Sequence, residues 1–357
     1  MQPEALAGFY ERSQAARRII VVDLGFLGDS VLLVPALWEI KRHYPLAELH
    51  TLSAPVGAEV LRMASCVDQA WAFPLGDPSP PWWRHWDCIR AIRAAQFDLA
   101  FNFSGADRTV FLTRLTGARW RVAHQGARTH FWGPWFIPAW VPRVSRQQPV
   151  YEQRREVLRA LGLKPEAARF DLRVPQTAVE WAETRVPRHG IHLSINASTH
   201  LKEWPLEHWI ELGHRLLRRF PGRPLIATAS AKPREQARLA ALAQALQDPR
   251  FLPVRPSPTL PQLAALLSRC AVHVGADSGV LHLALATGVR TLALFRQYEG
   301  TVEWLPPGPN HRHVTRPCAC ADQRAIRPKC AARADCLGQI LPAEVESLAA
   351  ELLLGLG

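Results

Sequence analysis

Lysine is scarce in this chain: five lysines stand among 43 Lys and Arg residues, in a sequence with net charge +12. The positive charge is therefore carried by arginine, whose planar fork suits bidentate contact with phosphate or carboxylate. A GC-rich coding sequence would produce the same bias. No apolar run approaches the roughly 18 residues of a membrane span. No low-complexity tract interrupts the composition, which is 48% hydrophobic and 21% charged, as in an ordinary globular protein. The opening stretch MQPEALAGFYERSQAARR has no basic segment leading into an apolar one, so no secretory signal is expected there. It reads as a short helix over 1–16, and the chain is expected to be cytoplasmic. Finger, recognition-helix and RNP signatures are also missing, so no nucleic acid is expected as a partner. An acidic soluble substrate or an anionic membrane surface remains to account for the charge.

What is present is an alternation of strand, turn and helix. RIIVVD (18–23) is a β-rich run, SVLLVPALWEIKRH (30–43) has helical periodicity, and AELHTL, DQAWAF, FDLAFNF and RWRVAH follow as strands separated by helical patterns. The pattern blurs between about 125 and 150. It restarts after a long helix (150–163), with GIHLSINA, RPLIATAS, FLPVRP, AVHVGA and RTLALF as strands. Short apolar strands alternating with helices imply parallel sheets covered on both faces. The expectation is an α/β protein of two doubly wound, Rossmann-like domains, 1–175 and 176–340, facing each other across a cleft, with a hinge near 165–187. A terminal helix in 341–357 would be free to pack back over that hinge. Thirteen tryptophans are clustered in part at PPWWRHW and FWGPWFIPAW. They serve core and loop packing or, with arginine beside them, an interfacial belt on the inner leaflet.

Four strand-to-helix junctions hold the unusual residues. In GFLGDS, Gly25 and Gly28 bring backbone close to something, and Asp29 is either a helix cap or a carboxylate aimed at a pocket. In NASTHLKEWPLEHW, Lys202 is a solvated loop lysine or a cation over a bound anion. In TASAKPREQA, Glu235 opens a helix, where the macrodipole favours a carboxylate; it could equally accept from ribose hydroxyls. In VGADSGVLHLALATGVRTLALF, a strand runs into Asp277, Ser278 and Gly279, and a helix presents His282 one turn in. Such a helix N-terminus is a ready anion site, although a buried, satisfied helix histidine is the plainer reading of His282. Taken together, one half offers a base and the other an anion clamp.

LGDSVLLVPAL, LKEWPLEHW and GADSGVLHLALATG, in that order and at those intervals, resemble glycosyltransferase family nine, the ADP-heptose heptosyltransferases of the lipopolysaccharide inner core. FDLAFNFSGADRTVFLTRLTGARWRVAH resembles the same family, and the likeness spans roughly 18–345. It implies a GT-B architecture and an inverting transfer without a catalytic metal. It also implies that Asp29 is the general base, that Lys202 neutralises the diphosphate and that Glu235 holds the adenosine ribose. Asp277, Ser278, Gly279 and His282 would form the donor-phosphate motif. The donor would be an ADP-heptose-like nucleotide sugar. The acceptor would be an acidic glycolipid, met by arginines such as Arg90, Arg93, Arg108, Arg114 and Arg121, with the enzyme peripheral on the inner membrane. Two departures stand out: Arg290 replaces the family's usual proline, and LFRQYEG replaces its Gly-x-Thr turn.

Of seven cysteines, Cys318, Cys320, Cys330 and Cys336 fall within nineteen residues. In a reducing compartment such a cluster suggests structural zinc or iron before a disulfide, although C-x-C is not the usual zinc spacing. Free or disulfide-bonded thiols are the alternative. The resemblance adds that related protein heptosyltransferases are thought to hold iron through such a cluster. Two rival functions follow. One is a protein (autotransporter-type) heptosyltransferase; the other is a non-catalytic nucleotide-sugar-binding protein of the same fold.

Overall fold

The computed structural model describes residues 6–75, 85–125, 133–298, 300–318 and 335–355. The chain separates into two compact units, Met1–Arg173 and Val174–Gly357. The first contains β1 (Arg18–Val22), β2 (Glu48–Ser53), β3 (Gln69–Ala72), β4 (Leu99–Asn102), β5 (Trp120–His124) and β6 (Ala139–Val141). Its helices are α1 (Phe9–Ser13), α2 (Leu27–His43), α3 (Pro55–Leu61), α4 (Trp86–Ala94), α5 (Asp107–Leu115), α6 (Gly133–Phe136) and α7 (Val150–Ala160). All strands are parallel, in the order β3-β2-β1-β4-β5-β6. β1 is buried along four of its five residues, which is why RIIVV carries no polar alternation.

The second unit repeats the plan. β7 (Ile191–Ser194), β8 (Leu225–Ala227), β9 (Phe251–Pro253), β10 (Val272–Ala276), β11 (Arg290–Gln297) and β12 (His311–Pro317) form a parallel sheet ordered β12-β11-β10-β7-β8-β9. The helices are α8 (Gln176–Glu183), α9 (Leu206–Arg219), α10 (Pro233–Leu246), α11 (Leu260–Arg269), α12 (Gly279–Ala286), α13 (Asp335–Gly338) and α14 (Pro342–Leu354). α11 starts on a reciprocal cap between Thr259 and Gln262, as TLPQL suggests. Each unit has its own core, the second centred on Trp204, Trp209, Leu193 and Leu292.

Strand order reverses beside β1 in the first sheet and beside β7 in the second. Ligands of open parallel sheets bind outside the carboxyl ends of the strands at such a switch point. Those points lie between β1 and β4, and between β7 and β10. Asp29 follows the first, and Asp277 follows the second.

Three elements differ from the sequence reading. α8 lies inside the stretch taken as hinge, because Ala178 and Ala182 bury an apolar stripe with Ala265 of α11. β6 lies in the aromatic region where the pattern blurs. β12, reading HRHVTRP, is polar because it is an edge strand with only Val314 in the core. The terminal helix α14 packs Val345, Ala349, Leu352 and Leu353 into the second unit's core. The tryptophans divide. Trp204 and Trp209 are fully buried, whereas Trp86 and Trp135 are more than half exposed. Trp82, Trp83 and Trp132 lie outside the described residues.

Candidate active site

The β1–α2 junction explains its own glycine. A Cβ on Gly25 would stand 2.4 Å from Cβ and 2.7 Å from Cγ of Asp29, so Gly25 is the space into which the Asp29 side chain folds. Asp29 is the third residue of α2, not its N-cap, and its Oδ2 accepts from the Phe26 N–H at 3.0 Å. The carboxylate thus meets a free helix-start donor with one oxygen. Desolvation pushes the Asp29 carboxyl up from its ordinary value of 3.8, aided by Asp23 and opposed by Arg154. A poised base is a carboxyl shifted in that direction. Gly28 sits buried in the first turn of the same helix. Gly25→Ala is expected to lower stability by about 1–3 kcal/mol through overpacking and to depress turnover by displacing Asp29. Melting curves and initial rates check this; unchanged values for both would contradict the packing argument.

Sequence reasoning missed the groups behind Asp29. Asp23 directly follows β1 and Arg154 lies on α7; both are buried and joined at 2.6 Å. Nothing in EQRREVL distinguishes Arg154 from the surface arginines around it.

At the second switch point Lys202 Nζ lies 2.6 Å from Asp277 Oδ2, which draws the β7–α9 loop to the end of β10. Arg234 of α10 fixes that loop: its Nη1 reaches both carboxylate oxygens of Glu203 at 2.6 Å and its Nη2 donates to the Ala197 carbonyl at 3.0 Å. Glu235, nearly buried, accepts from the Ser230 N–H at 3.0 Å, at the β8–α10 turn. Ser278 precedes α12 without capping it, and its Oγ is buried with no partner. His282 is buried with Nδ1 unpartnered, and burial pushes its pKa down to about 4. It is therefore a neutral imidazole at pH 7, not the cation that an anion clamp suggests. The geometry joins Lys202 and Asp277 directly and puts Ser278, Gly279 and His282 on one helix start. Glu235 stands on the neighbouring strand-end turn.

Below this edge, two strand histidines on which the sequence reading was silent face each other. His192 and His273 approach Nδ1 to Nδ1 at 2.8 Å, and His192 Nε2 pairs with Thr228 Oγ1 at 3.0 Å. Glycine is required above them, since a Cβ on Gly275 would sit 2.7 Å from His273 Nε2. Burial lowers His192 to about 3 and His273 well below 6.5. The unfolded chain takes up these protons below pH 6.5 and the folded one does not, so stability is complete above 6.5 and falls as pH drops toward 3–4. At about pH 5, His192 and His282 should each cost about 2 kcal/mol. Urea midpoints at pH 7 and pH 5 read this; equal midpoints would contradict it.

Of the basic residues proposed for an acidic acceptor, Arg121 is committed to backbone carbonyls of Phe136 and Ala118, and Arg90 pairs with Asp87. Arg108 and Arg114 point outward from α5 on either side of Phe111, which is 50% exposed. Cys318 and Cys336 are buried free thiols; Cys66 and Cys270 are also free and buried, and Cys88 is free and half-buried. Burial and the adjacent Cys318 thiol push Cys336 up to about 11. Cys320 and Cys330 lie outside the described residues. No group of three or more metal-ligating side chains occurs among the described residues. Among them, too, no helix is long and apolar enough to cross a membrane.

Two doubly wound units, one with a desolvated carboxylate at its switch point and the other with an uncapped helix start carrying an unpartnered hydroxyl and imidazole, define the architecture of a GT-B glycosyltransferase. The family model for glycosyltransferase family 9 (heptosyltransferase) matches residues 85–329, and the chain belongs to that family. It is 22% identical over 281 residues to lipopolysaccharide heptosyltransferase 3 of Escherichia coli, covering 76% of this chain and 81% of that one. Its fold is similar to that of the family 9 glycosyltransferase from Veillonella parvula, with a TM-score of 0.76, 17% identity and coverage of 95% and 97%. It is also similar to E. coli heptosyltransferase WaaC with ADP, with a TM-score of 0.70, 20% identity and coverage of 94% and 99%.

Proposed function

We propose that the protein transfers a heptose from ADP-heptose to an inner-core lipopolysaccharide sugar, with inversion and without a catalytic metal. The observation that carries this reading is the set Lys202, Asp277, Ser278, Gly279 and His282 at the second switch point. It combines an ammonium, a helix N-terminus and hydroxyl and imidazole groups without partners, the donors that a diphosphate needs. Glu235 is assigned to the ribose hydroxyls. In the reaction, an acceptor hydroxyl attacks the anomeric carbon, and its proton passes to Asp29 as the new C–O bond forms. The bond to the β-phosphate breaks, and ADP leaves with the electron pair. Its growing charge is met by Lys202, by the α12 N–H groups and by neutral His282, already in place before the reaction. The name of the E. coli relative supports lipopolysaccharide as acceptor class, and the ADP in the WaaC structure supports the nucleotide.

Arg108, Phe111 and Arg114 would rest on the anionic inner leaflet, where an aromatic between two guanidinium groups suits the interface. Cys318, Cys320, Cys330 and Cys336 are proposed to hold structural zinc or iron. The adjacent, buried Cys318 and Cys336 fit that role, the metal binding their thiolates in place of the two protons. The ion would take no part in the transfer.

Calorimetric titration with ADP, UDP and GDP tests the donor assignment. Preference for ADP is expected. Tighter binding of UDP or GDP would move the donor to another sugar class, and binding of none would leave the fold without its donor site.

A further inference from the structure

Arg154 comes from 125 residues further along the chain to meet the proposed base. Its Nη1 donates to the main-chain carbonyl of Asp29 at 2.6 Å, and its Nη2 donates to Asp23 Oδ2 at 2.6 Å. The other Asp23 oxygen, Oδ1, accepts from the Gly25 N–H at 2.9 Å. One guanidinium thus holds both ends of the turn between β1 and α2, and the carboxylate it holds pins the glycine over which Asp29 folds. Both partners are nearly sealed from water, with side-chain exposures of 8% and 5%. A buried ion pair of this kind adds little net stability over an apolar pair of the same shape, because two charges must be desolvated. Stability alone therefore gives weak reason for a charged clamp at this turn. Geometry gives a better one. Fixing the carbonyl of Asp29 fixes the start of α2, and the Phe26 N–H then leaves the Asp29 carboxylate one orientation.

We propose that Arg154 and Asp23 form a positioning pair that presents the Asp29 carboxylate to the acceptor hydroxyl. This rests on the reading of Asp29 as the base. Neither residue touches substrate; both act through Asp29. The charges that Asp29 feels are these two, from α7 and from the end of β1, and they oppose each other: Arg154 favours the carboxylate and Asp23 disfavours it. His124, at the end of β5, also lies near Arg154; burial lowers its pKa, a hydrogen bond with the Phe103 backbone opposes that, and Arg154 and Arg143 add to it. The pair thus sets position and leaves a small balance of charge at the base.

The test is the pH dependence of kcat, with nucleotide-sugar KM read in parallel, for Asp23→Asn and Arg154→Gln. Both are expected to lower kcat by about tenfold to a hundredfold, the usual cost of a misplaced catalytic group, with KM for the donor unchanged. The acidic limb should move in opposite directions. Asp23→Asn removes an anion and moves the limb to lower pH; Arg154→Gln removes a cation and moves it to higher pH. A merely structural role would move both rates without splitting the limbs. If either single variant fails to fold, the double variant Asp23→Asn/Arg154→Gln leaves no buried charge unpaired. It should keep the wild-type limb and still show the reduced kcat. Folded variants with wild-type kcat and limb would overturn the proposal. Asp29→Asn in the same assay separates the two claims: if it retains turnover, the base assignment fails on its own.

Discussion

Asp29→Asn is expected to lower transfer by about 10²–10⁴-fold, the range of a lost general base, while leaving ADP affinity unchanged. The choice of asparagine matters, because its carbonyl oxygen can still accept from the Phe26 N–H that now meets Asp29 Oδ2. The helix start is kept and only the proton acceptor is removed. Alanine would also delete that hydrogen bond and mix a capping loss of about 0.5–2 kcal/mol into the result. Single-turnover rates with saturating donor read the chemistry, and calorimetry reads the binding. An enzyme in which Asp29 is only a helix-start acceptor would keep its turnover. A non-catalytic nucleotide-sugar-binding protein would show no turnover to lose.

The second large effect is on binding. Lys202→Met should weaken ADP affinity by about a hundredfold, and the reason extends beyond one missing cation. Lys202 now sits 2.6 Å from Asp277 Oδ2. Without it, a largely buried carboxylate stands unpaired beside the site proposed for the diphosphate, and like charges repel. Truncating one member of such a pair costs about 2–5 kcal/mol, much of it from the partner left behind. Lys202→Met/Asp277→Asn should therefore recover part of the affinity. Raising the salt concentration should weaken wild-type binding more than that of the double variant. Equal ADP affinity in wild type and Lys202→Met would remove Lys202 from the donor site.

The parallel α/β plan was readable from residues such as RIIVV and VHVGA, because strands buried on both faces cannot carry polar alternation. The same rule hid β12, whose edge position allows His311, Arg312, His313 and Arg316 to look like loop. It also hid the meaning of His192 and His273, polar groups in buried strands that pair through their Nδ1 atoms only because of the register between β7 and β10. Local motifs exposed Asp29, Lys202 and the Asp277–His282 helix start, since each lies within a few residues of its own strand end. The Gly25 requirement was visible as a glycine, but its cause was not: the close approach comes from the Asp29 side chain. Arg154 was out of reach of any local pattern. Its role depends on α7 packing against α2, a contact set by the fold as a whole.

Those long-range contacts change the chemistry expected at both junctions. Asp29 is held up from its ordinary range by desolvation, as a base should be. His282, a natural choice for a cationic phosphate ligand, is driven neutral by burial, so it contributes hydrogen bonds and no charge. The positive charge at the proposed donor site thus falls to Lys202 and to the α12 dipole. The acid-side loss of transfer should accordingly be set by Asp29 and not by titration of His282 near the ordinary histidine value of 6.5.

The most direct test incubates the purified protein with ADP-heptose and a heptose-deficient inner-core acceptor, and follows the acceptor by mass spectrometry. The expected result is the gain of one heptose with wild type, no gain with UDP- or GDP-linked sugars, and near-complete loss of product with Asp29→Asn. A wild-type protein that binds ADP-heptose but leaves core saccharide unchanged while modifying a protein acceptor would contradict the proposed acceptor. Full product from Asp29→Asn would contradict the mechanism itself.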